Sequence, residues 1–380
     1  MSPKRIFLSP PHMSNEGYEL SNIQDAFASN WIAPLGSYVD RFEKEIAALS
    51  NRAGGVALSS GTAAIHLALK AAGMQPQDRV ICSSFTFAAS CNPIVYEQGI
   101  PIFIDSEYKS WNLDPDLVEQ ALNDYKDGEH PIRAILAVSL YGQPAQMTRL
   151  EEIAKHYDVI LIDEATEALG ASIEGRPCGS FGQFGIFSFN GNKMVTTSGG
   201  GMVVADREDI LSKMRFWATQ SRDPAPYYQH SELGYNYRLS NISAAIGCGQ
   251  LTVLPQHLAQ RKAIFTRYEK AMESIEGISM MPVYGEPCHW LSVALLDKTA
   301  KVKAAEVIAA LEAENIESRH AWKPMEQQPY WQAYPFYTKN PQQSVGNDLF
   351  TRGICLPSGS SLSEEDQHRV IDVLKKLFQT

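Results

Sequence analysis

One stretch of the 380-residue chain gathers groups that could do covalent chemistry: Ser188-Phe-Asn-Gly-Asn-Lys193, followed by Met-Val-Thr-Thr-Ser-Gly199-Gly200-Gly201. Lys193 comes just after an apolar run, Phe184 to Phe189, among small and amide residues, and the three glycines let a backbone pass close. An amine attacks a carbonyl only when unprotonated, a form that a partly dry pocket favours, so Lys193 reads as a candidate Schiff-base lysine. Alone, the hexapeptide fits an exposed lysine in a glycine-rich turn more readily. The weight therefore falls on what else shares its site.

Three further pieces fit the ends of strands. Gly55 to Leu58 reads as a short strand, and Ser59-Ser60-Gly61-Thr62 follows it and opens a helix, Ala63 to Ala72, that stops at Gly73. Amides of a first helical turn point outward and the helix dipole favours an anion, so Gly61 and Thr62 form a candidate phosphate seat; Ser and Thr also cap helices that hold no ligand. Phe85-Thr-Phe87 follows the β-rich run Arg79 to Ser84. Asp163-Glu164 ends the apolar run Ile160-Leu-Ile, so at least one carboxylate lies near the core and needs a cationic or protonated partner. Side chains alternate along a strand, so only one of these two acids can face a ligand.

These pieces imply a scaffold. The apolar runs Ala134 to Leu140 and Val159 to Asp163, each between helical stretches, predict a largely parallel sheet covered by helices on both faces, with ligands at the carboxyl ends of the strands. Before them, Leu8-Ser-Pro-Pro-His12 is extended, Asn30-Trp31-Ile-Ala-Pro-Leu-Gly36 is a loop, and Phe42 to Leu49 is an amphipathic helix. After Gly201 come a strand to Ala205, a helix to Ala218, a polar loop bearing Arg222, the segment Leu233-Gly-Tyr-Asn236-Tyr-Arg238, and a small-residue helix from Ala244 to Leu251. Leu258, Phe265, Tyr268, Met272 and Ile275 then mark a long connecting helix. It leads to strands at Ile278 to Val283, Trp290 to Leu296, Ile316 to Arg319 and Ile354 to Leu356, with helices at Ala304 to Glu314 and Glu364 to Phe378. The chain divides into a large domain, 1–253, and a small C-terminal α+β domain, 254–380.

A net charge of −10 argues against sequence-blind binding to nucleic acid or an anionic membrane, so an anionic ligand needs a local cluster of cations. The N-terminal residues carry no apolar stretch of signal-peptide kind, and no run of about 18 apolar residues follows. Six scattered cysteines without a Cys-x-x-Cys pair suggest reduced thiols of a cytoplasmic enzyme, and nine histidines without His-x-x-x-His suggest no metal site. Gly179-Ser-Phe-Gly182-Gln-Phe-Gly185 is not the dinucleotide fingerprint.

In this order, Gly61-Thr62, Phe87, Asp163-Glu164, Ser188, Lys193 and Asn236-Tyr-Arg238 resemble the pyridoxal-phosphate-dependent nucleotide-sugar aminotransferases, from Trp31-Ile-Ala-Pro to Gly353-Ile-Cys-Leu-Pro357. The resemblance implies the type I (aspartate aminotransferase) fold and a homodimer with shared active sites. It implies that Lys193 binds the cofactor aldehyde and moves the proton, that Gly61, Thr62 and Ser188 hold its phosphate with Asn236 of the partner subunit, and that Phe87 stacks on its ring. Glu167 matches the position beside the ring's phenolic oxygen. The family usually reads Glu-Asp where this chain has Asp163-Glu164, and the ungapped count to Glu167 and Lys193 puts Glu164 at the pyridine nitrogen.

On the substrate side the resemblance implicates Trp31, Arg222, Arg238, Arg319 and Lys323, with a nucleotide sugar and L-glutamate as reactants. Ser-Phe-Asn-Gly-Asn-Lys, Ser-Gly-Gly-Gly-Met and Ser-Pro-Pro-His-Met resemble the enzymes that aminate UDP-2-acetamido-2,6-dideoxy-4-hexulose in bacillosamine synthesis. GDP-perosamine and legionaminic-type aminotransferases share most of these features. A 3-dehydratase on this fold carries a histidine where this chain has Lys193, and a non-catalytic cofactor-binding regulator is the remaining alternative.

Overall fold

The computed structural model describes residues 4–379. Residues 1–3, on which the signal-peptide reading begins, and residue 380 lie outside the described residues. Helices α1 (Tyr18–Ala28) and α2 (Ser37–Leu49) precede strand β1 (Gly54–Leu58) and helix α3 (Gly61–Ala71). There follow β2 (Arg79–Ser83), α4 (Asn92–Tyr96), β3 (Ile100–Ile104), α5 (Pro115–Tyr125), β4 (Ile132–Val138), α6 (Met147–His156) and β5 (Ile160–Glu164). A ribbon, β6 (Ser172–Ile173) and β7 (Arg176–Pro177), leads to β8 (Phe184–Ser188), β9 (Gly201–Ala205), α7 (Glu208–Ala218) and α8 (Asn241–Thr252). The second half comprises α9 (Leu254–Met272), β10 (Ile278–Met280), β11 (Ser292–Leu296), α10 (Ala304–Ala313), β12 (Arg319–His320), β13 (Phe336–Tyr337), α11 (Val345–Arg352), β14 (Gly353–Leu356) and α12 (Glu364–Phe378).

Eight strands form one sheet in the order β1-β9-β8-β5-β4-β2-β3-β13. Its pairings are parallel from β8 through β13, and only β9 runs against its two neighbours, β1 and β8. β2, β4 and β5 are almost wholly buried, as expected of strands covered on both faces, and the carboxyl end of β5 and the segment after β2 line the cavity at which α3 begins. A four-stranded sheet, β10-β11-β14-β12, packs with α9, α10 and α12 into a second core around Tyr268, Val307, Ile354 and Val370. Val253 caps both α8 and α9, and α9 buries His257, Arg261, Ile264, Phe265 and Tyr268 along one face.

Two segments tie the halves together. β13 comes from the C-terminal half yet adds the eighth strand beside β3. Ile6 pairs in parallel with Ile316 and is buried in the C-terminal core. In sequence α1 has weak helix signals: it starts from Gly17 at φ 76, lacks a side-chain cap and leaves Leu20 and Phe27 exposed. Contact with α8 supports it, where a Cβ on Gly249 would lie 2.7 Å from the Glu19 nitrogen. Asn241 is buried, and its side chain binds the Tyr38 amide and the Trp31 carbonyl. The strands expected at Trp290 and Ile316 start later, at Ser292 and Arg319, leaving Trp290 free of the ladder. Among the described residues no helix is long and apolar enough to cross a membrane.

Candidate active site

β8 delivers Ser188 to the end of the sheet, and the chain then makes an excursion before returning as β9. The excursion is closed by Phe189 N–H donating to the Gly200 carbonyl and Thr197 N–H donating to the Phe189 carbonyl. Phe189 is buried edge-on against Phe42, which anchors the base of the loop. Lys193 donates its own amide to the Asn190 carbonyl, and this turn points its side chain into a cavity of about 480 Å³. The glycines allow the close passage: a Cβ on Gly201 would fall 2.3 Å from the Ser60 carbonyl carbon, and one on Gly200 would fall 2.4 Å from Thr197 Oγ1.

Lys193 Nζ lies 3.4 Å from Glu167 Oε1 and 4.0 Å from the centre of the Trp290 ring. Glu167 is held in turn by the Tyr141 amide, which donates to its Oε2 at 2.8 Å. Trp290 Nε1 donates to the Asn192 carbonyl at 2.7 Å, so the same indole packs against the lysine and fixes the loop that carries it. Trp290 was not legible as a site residue, because in sequence it reads as the first residue of a strand.

α3 starts at the opposite wall. Ser60 caps it by accepting the Ala63 amide, while Gly61 and Thr62 line the cavity with the first-turn amides that have no intrahelical carbonyl. Gly61 sits against Ser188, where a Cβ would be 3.2 Å from the serine Cβ. Phe87 also lines the cavity, its ring 5.4 Å from that of Trp322.

The paired acids separate by strand alternation. Asp163 faces away from the cavity, its Oδ2 accepting the Gly179 amide at 2.5 Å. Glu164 faces the cavity, with Oε1 accepting the Thr166 hydroxyl at 2.8 Å and Oε2 buried without a partner. Burial raises Glu164 to about 7, opposed by the Ser90 and Thr166 hydroxyls, with Glu167 raising it further and Lys193 lowering it. Burial also raises Asp163 to about 7, against the pull of the Gly179 and Phe181 amides.

The cavity thus brings together Gly61, Thr62, Phe87, Glu164, Glu167, Ser188, Lys193 and Arg319. Trp31, Arg222, Asn236 and Lys323 do not line it; all four are exposed. Arg222 stacks over Tyr228, and the Asn236 backbone bridges to Thr219. Arg238 does not line the cavity either: its guanidinium is bound to Glu43 Oε1 at 2.7 Å and to the Ala57 carbonyl, each side chain of the pair being 9% exposed.

The donor set fits pyridoxal phosphate. It supplies an amine, an anion seat at a helix N-terminus beside a serine, and a buried carboxylate oxygen left open for a cationic ring nitrogen.

The family described as the DegT/DnrJ/EryC1/StrS aminotransferase family matches residues 14–375. The chain is 48% identical over 99% of its length, and 97% of the relative's, to EpsN of Bacillus subtilis (strain 168), whose name assigns it provisionally to the pyridoxal phosphate-dependent aminotransferases. It is 32% identical to the GDP-perosamine synthase of Caulobacter vibrioides (strain ATCC 19089 / CIP 103742 / CB 15), covering 98% of each chain. Its fold superposes on a DegT DnrJ EryC1 StrS aminotransferase from Brucella abortus with a TM-score of 0.88 at 26% identity, covering 96% of each chain.

Proposed function

The chain belongs to the DegT/DnrJ/EryC1/StrS aminotransferase family, a family of pyridoxal-phosphate enzymes of fold type I, and from that premise we propose that it moves the amino group of L-glutamate to C4 of a UDP-4-keto-6-deoxy-N-acetylhexosamine. The product is a UDP-4-amino sugar for bacillosamine-type glycan synthesis, made in the cytoplasm by a homodimer. The observation that carries the reaction is the meeting of Lys193, the unpartnered Glu164 oxygen and the open start of α3 around one cavity. Exposed apolar side chains at Leu20, Phe27, Trp31, Ile32 and Leu35 support a second copy packing against α1 and the loop after it. In this reading residues 1–253 are the cofactor domain and 254–380 the smaller domain.

When bound, pyridoxal phosphate supplies an aldehyde and an electron-withdrawing ring that accepts the electron pair released at a neighbouring carbon. Gly61, Thr62 and Ser188 hold its phosphate, joined by Asn236 of the partner subunit, and Phe87 packs on its ring. The unpartnered Glu164 Oε2 would hold a proton at the ring nitrogen, and Glu167, 3.4 Å from Lys193 Nζ, would stand beside the phenolic oxygen. Lys193 Nζ takes the proton from Cα of glutamate in one half of the cycle and delivers a proton to C4 of the sugar in the other. Trp31, Arg222, Arg319 and Lys323 are the substrate-side residues, with Trp31 and Arg222 offered across the subunit contact.

The resemblance of the lysine, triple-glycine and Ser-Pro-Pro-His-Met segments supports the UDP-N-acetylhexosamine substrate. The relative named a GDP-perosamine synthase supports a second reading in which the 4-keto sugar carries GDP. Purified protein loaded with pyridoxal phosphate is expected to be yellow, to lose its long-wavelength band with L-glutamate, and to yield a borohydride-fixed cofactor on the Lys193 peptide. Product analysis with UDP- and GDP-4-keto sugars then separates the two substrates. A protein that stays colourless after reconstitution sinks both.

A further inference from the structure

Arg261 lies on the buried face of α9, 3% exposed, and every oxygen it binds is neutral. One terminal nitrogen donates to the Trp290 carbonyl and, at 3.1 Å, to the Ser358 carbonyl; the other donates to Ser9 Oγ at 3.2 Å. Its Nε has no partner among the described residues. Burial lowers its pKa to about 10, which leaves it a cation at neutral pH. A buried guanidinium without a carboxylate beside it is costly to keep. An apolar side chain of similar length would pack α9 without that cost.

The oxygens it binds lead to the reacting lysine. Ser9 Oγ carries one proton, and a guanidinium has no acceptor, so a hydroxyl that accepts from Arg261 must donate elsewhere. It donates to the Asn192 carbonyl at 3.1 Å. The same carbonyl accepts Trp290 Nε1 at 2.7 Å, and the backbone carbonyl of Trp290 returns to Arg261. Arg261, Ser9, Asn192 and Trp290 therefore close a ring of hydrogen bonds. The Asn192 carbonyl belongs to the peptide plane that leads into Lys193, and the N–H of that plane donates to the Asn190 carbonyl at 3.0 Å. A plane held on both edges fixes the direction in which the Lys193 side chain leaves the backbone. The indole in the ring is also the one that packs 4.0 Å from Lys193 Nζ.

We propose that Arg261 and Ser9 are positioning residues for Lys193: a cation from the C-terminal half and a hydroxyl from the N-terminal strap hold the 192–193 peptide and the Trp290 ring so that Nζ is aimed into the cavity. The proposal rests on Lys193 as the reacting amine of the aminotransferase reading above.

The test has one readout without cofactor and one with it. In the cofactor-free full chain, amide hydrogen exchange of the segment 190–197 is expected to quicken about tenfold in Arg261→Met and in Ser9→Ala, while the distant helix α5 exchanges as in the parent. Segment exchange within about twofold of the parent overturns the proposal, as does an equal quickening in α5, which would report general loosening. In the holoenzyme, the rate of the glutamate half-reaction is expected to fall about tenfold in each variant, with KM for glutamate within about twofold. A rate within about twofold of the parent in both overturns the proposal. Because Arg261 acts partly through the Ser9 hydroxyl, adding Ser9→Ala to Arg261→Met is expected to slow the half-reaction less than Ser9→Ala slows the parent; effects that multiply in full would overturn the shared route. If Arg261→Met does not fold, Ser9→Ala alone decides through both readouts. The parent's loss of its cofactor band with glutamate is read separately. Its failure overturns the aminotransferase reaction, while exchange in the cofactor-free chain still decides whether Arg261 and Ser9 hold the lysine segment.

Discussion

Asp163 and Glu164 are consecutive residues that serve opposite faces of one sheet. Asp163 Oδ2 accepts the Gly179 amide on the closed face, and Glu164 presents an unpartnered oxygen to the cavity that holds Lys193. Glu164→Gln is therefore expected to lower kcat by on the order of 10²-fold, because a neutral amide cannot hold a proton on a ring nitrogen. Asp163→Ala is expected to cost about 1–3 kcal/mol of stability by stranding a buried amide donor, with kcat of the folded enzyme little changed. Denaturant melts beside steady-state rates check both, and a reversed pattern would assign the nitrogen to Asp163.

Trp290 has two contacts to the lysine loop, its ring at Nζ and its indole N–H at the Asn192 carbonyl. Trp290→Phe keeps the ring and loses the hydrogen bond; Trp290→Ala loses both. The rate of the glutamate half-reaction is expected to fall in that order, by about tenfold or more for alanine. Equal rates in all three proteins would remove Trp290 from the site.

Arg238 is expected to matter for folding. Arg238→Ala takes from the buried Glu43 its nearest cation, leaving it the Ala57 amide at 2.8 Å and Arg215 at 3.4 Å, and is expected to cost about 1–3 kcal/mol, while KM for the sugar in the surviving folded enzyme stays near the parent value. A raised KM without a lower Tm would assign it to the substrate instead.

Burial lifts Asp163 and Glu164 to about 7 each, whereas carboxyl groups of an unfolded chain titrate near about 4. Between these values the cofactor-free folded protein keeps protons that the unfolded chain has released. The contribution of the two acids is thus fully present below about pH 4 and is lost as the pH rises through about 7. Tm of cofactor-free Asp163→Asn, minus that of the parent, is expected to become more positive between about pH 5 and pH 7.5. A difference that is flat across this range would mean that Asp163 is ionised throughout.

Much of the scaffold was legible because it depends on local pattern. Buried parallel strands are continuous apolar runs, α3 is announced by its serine cap and by Gly73, and the long α9 by its apolar spacing. The weak cases were elements whose support comes from elsewhere: α1, which rests on α8, and β13, a two-residue strand that exists only because β3 has an open edge.

In the site the division follows the same cause. Sequence by itself singled out Lys193 and the start of α3 as parts of one candidate site, and, through the two-residue period of a strand, required that one of Asp163 and Glu164 face away from the other. Only the tertiary structure decided which charges remain available. Arg238 and Arg319 are both arginines in polar segments, yet packing sets one against Glu43 and leaves the other open at a cavity mouth. It likewise placed Trp290 against Lys193 across 97 positions of sequence, since the free energy of a charge or a ring depends on neighbours in space that no local spacing records.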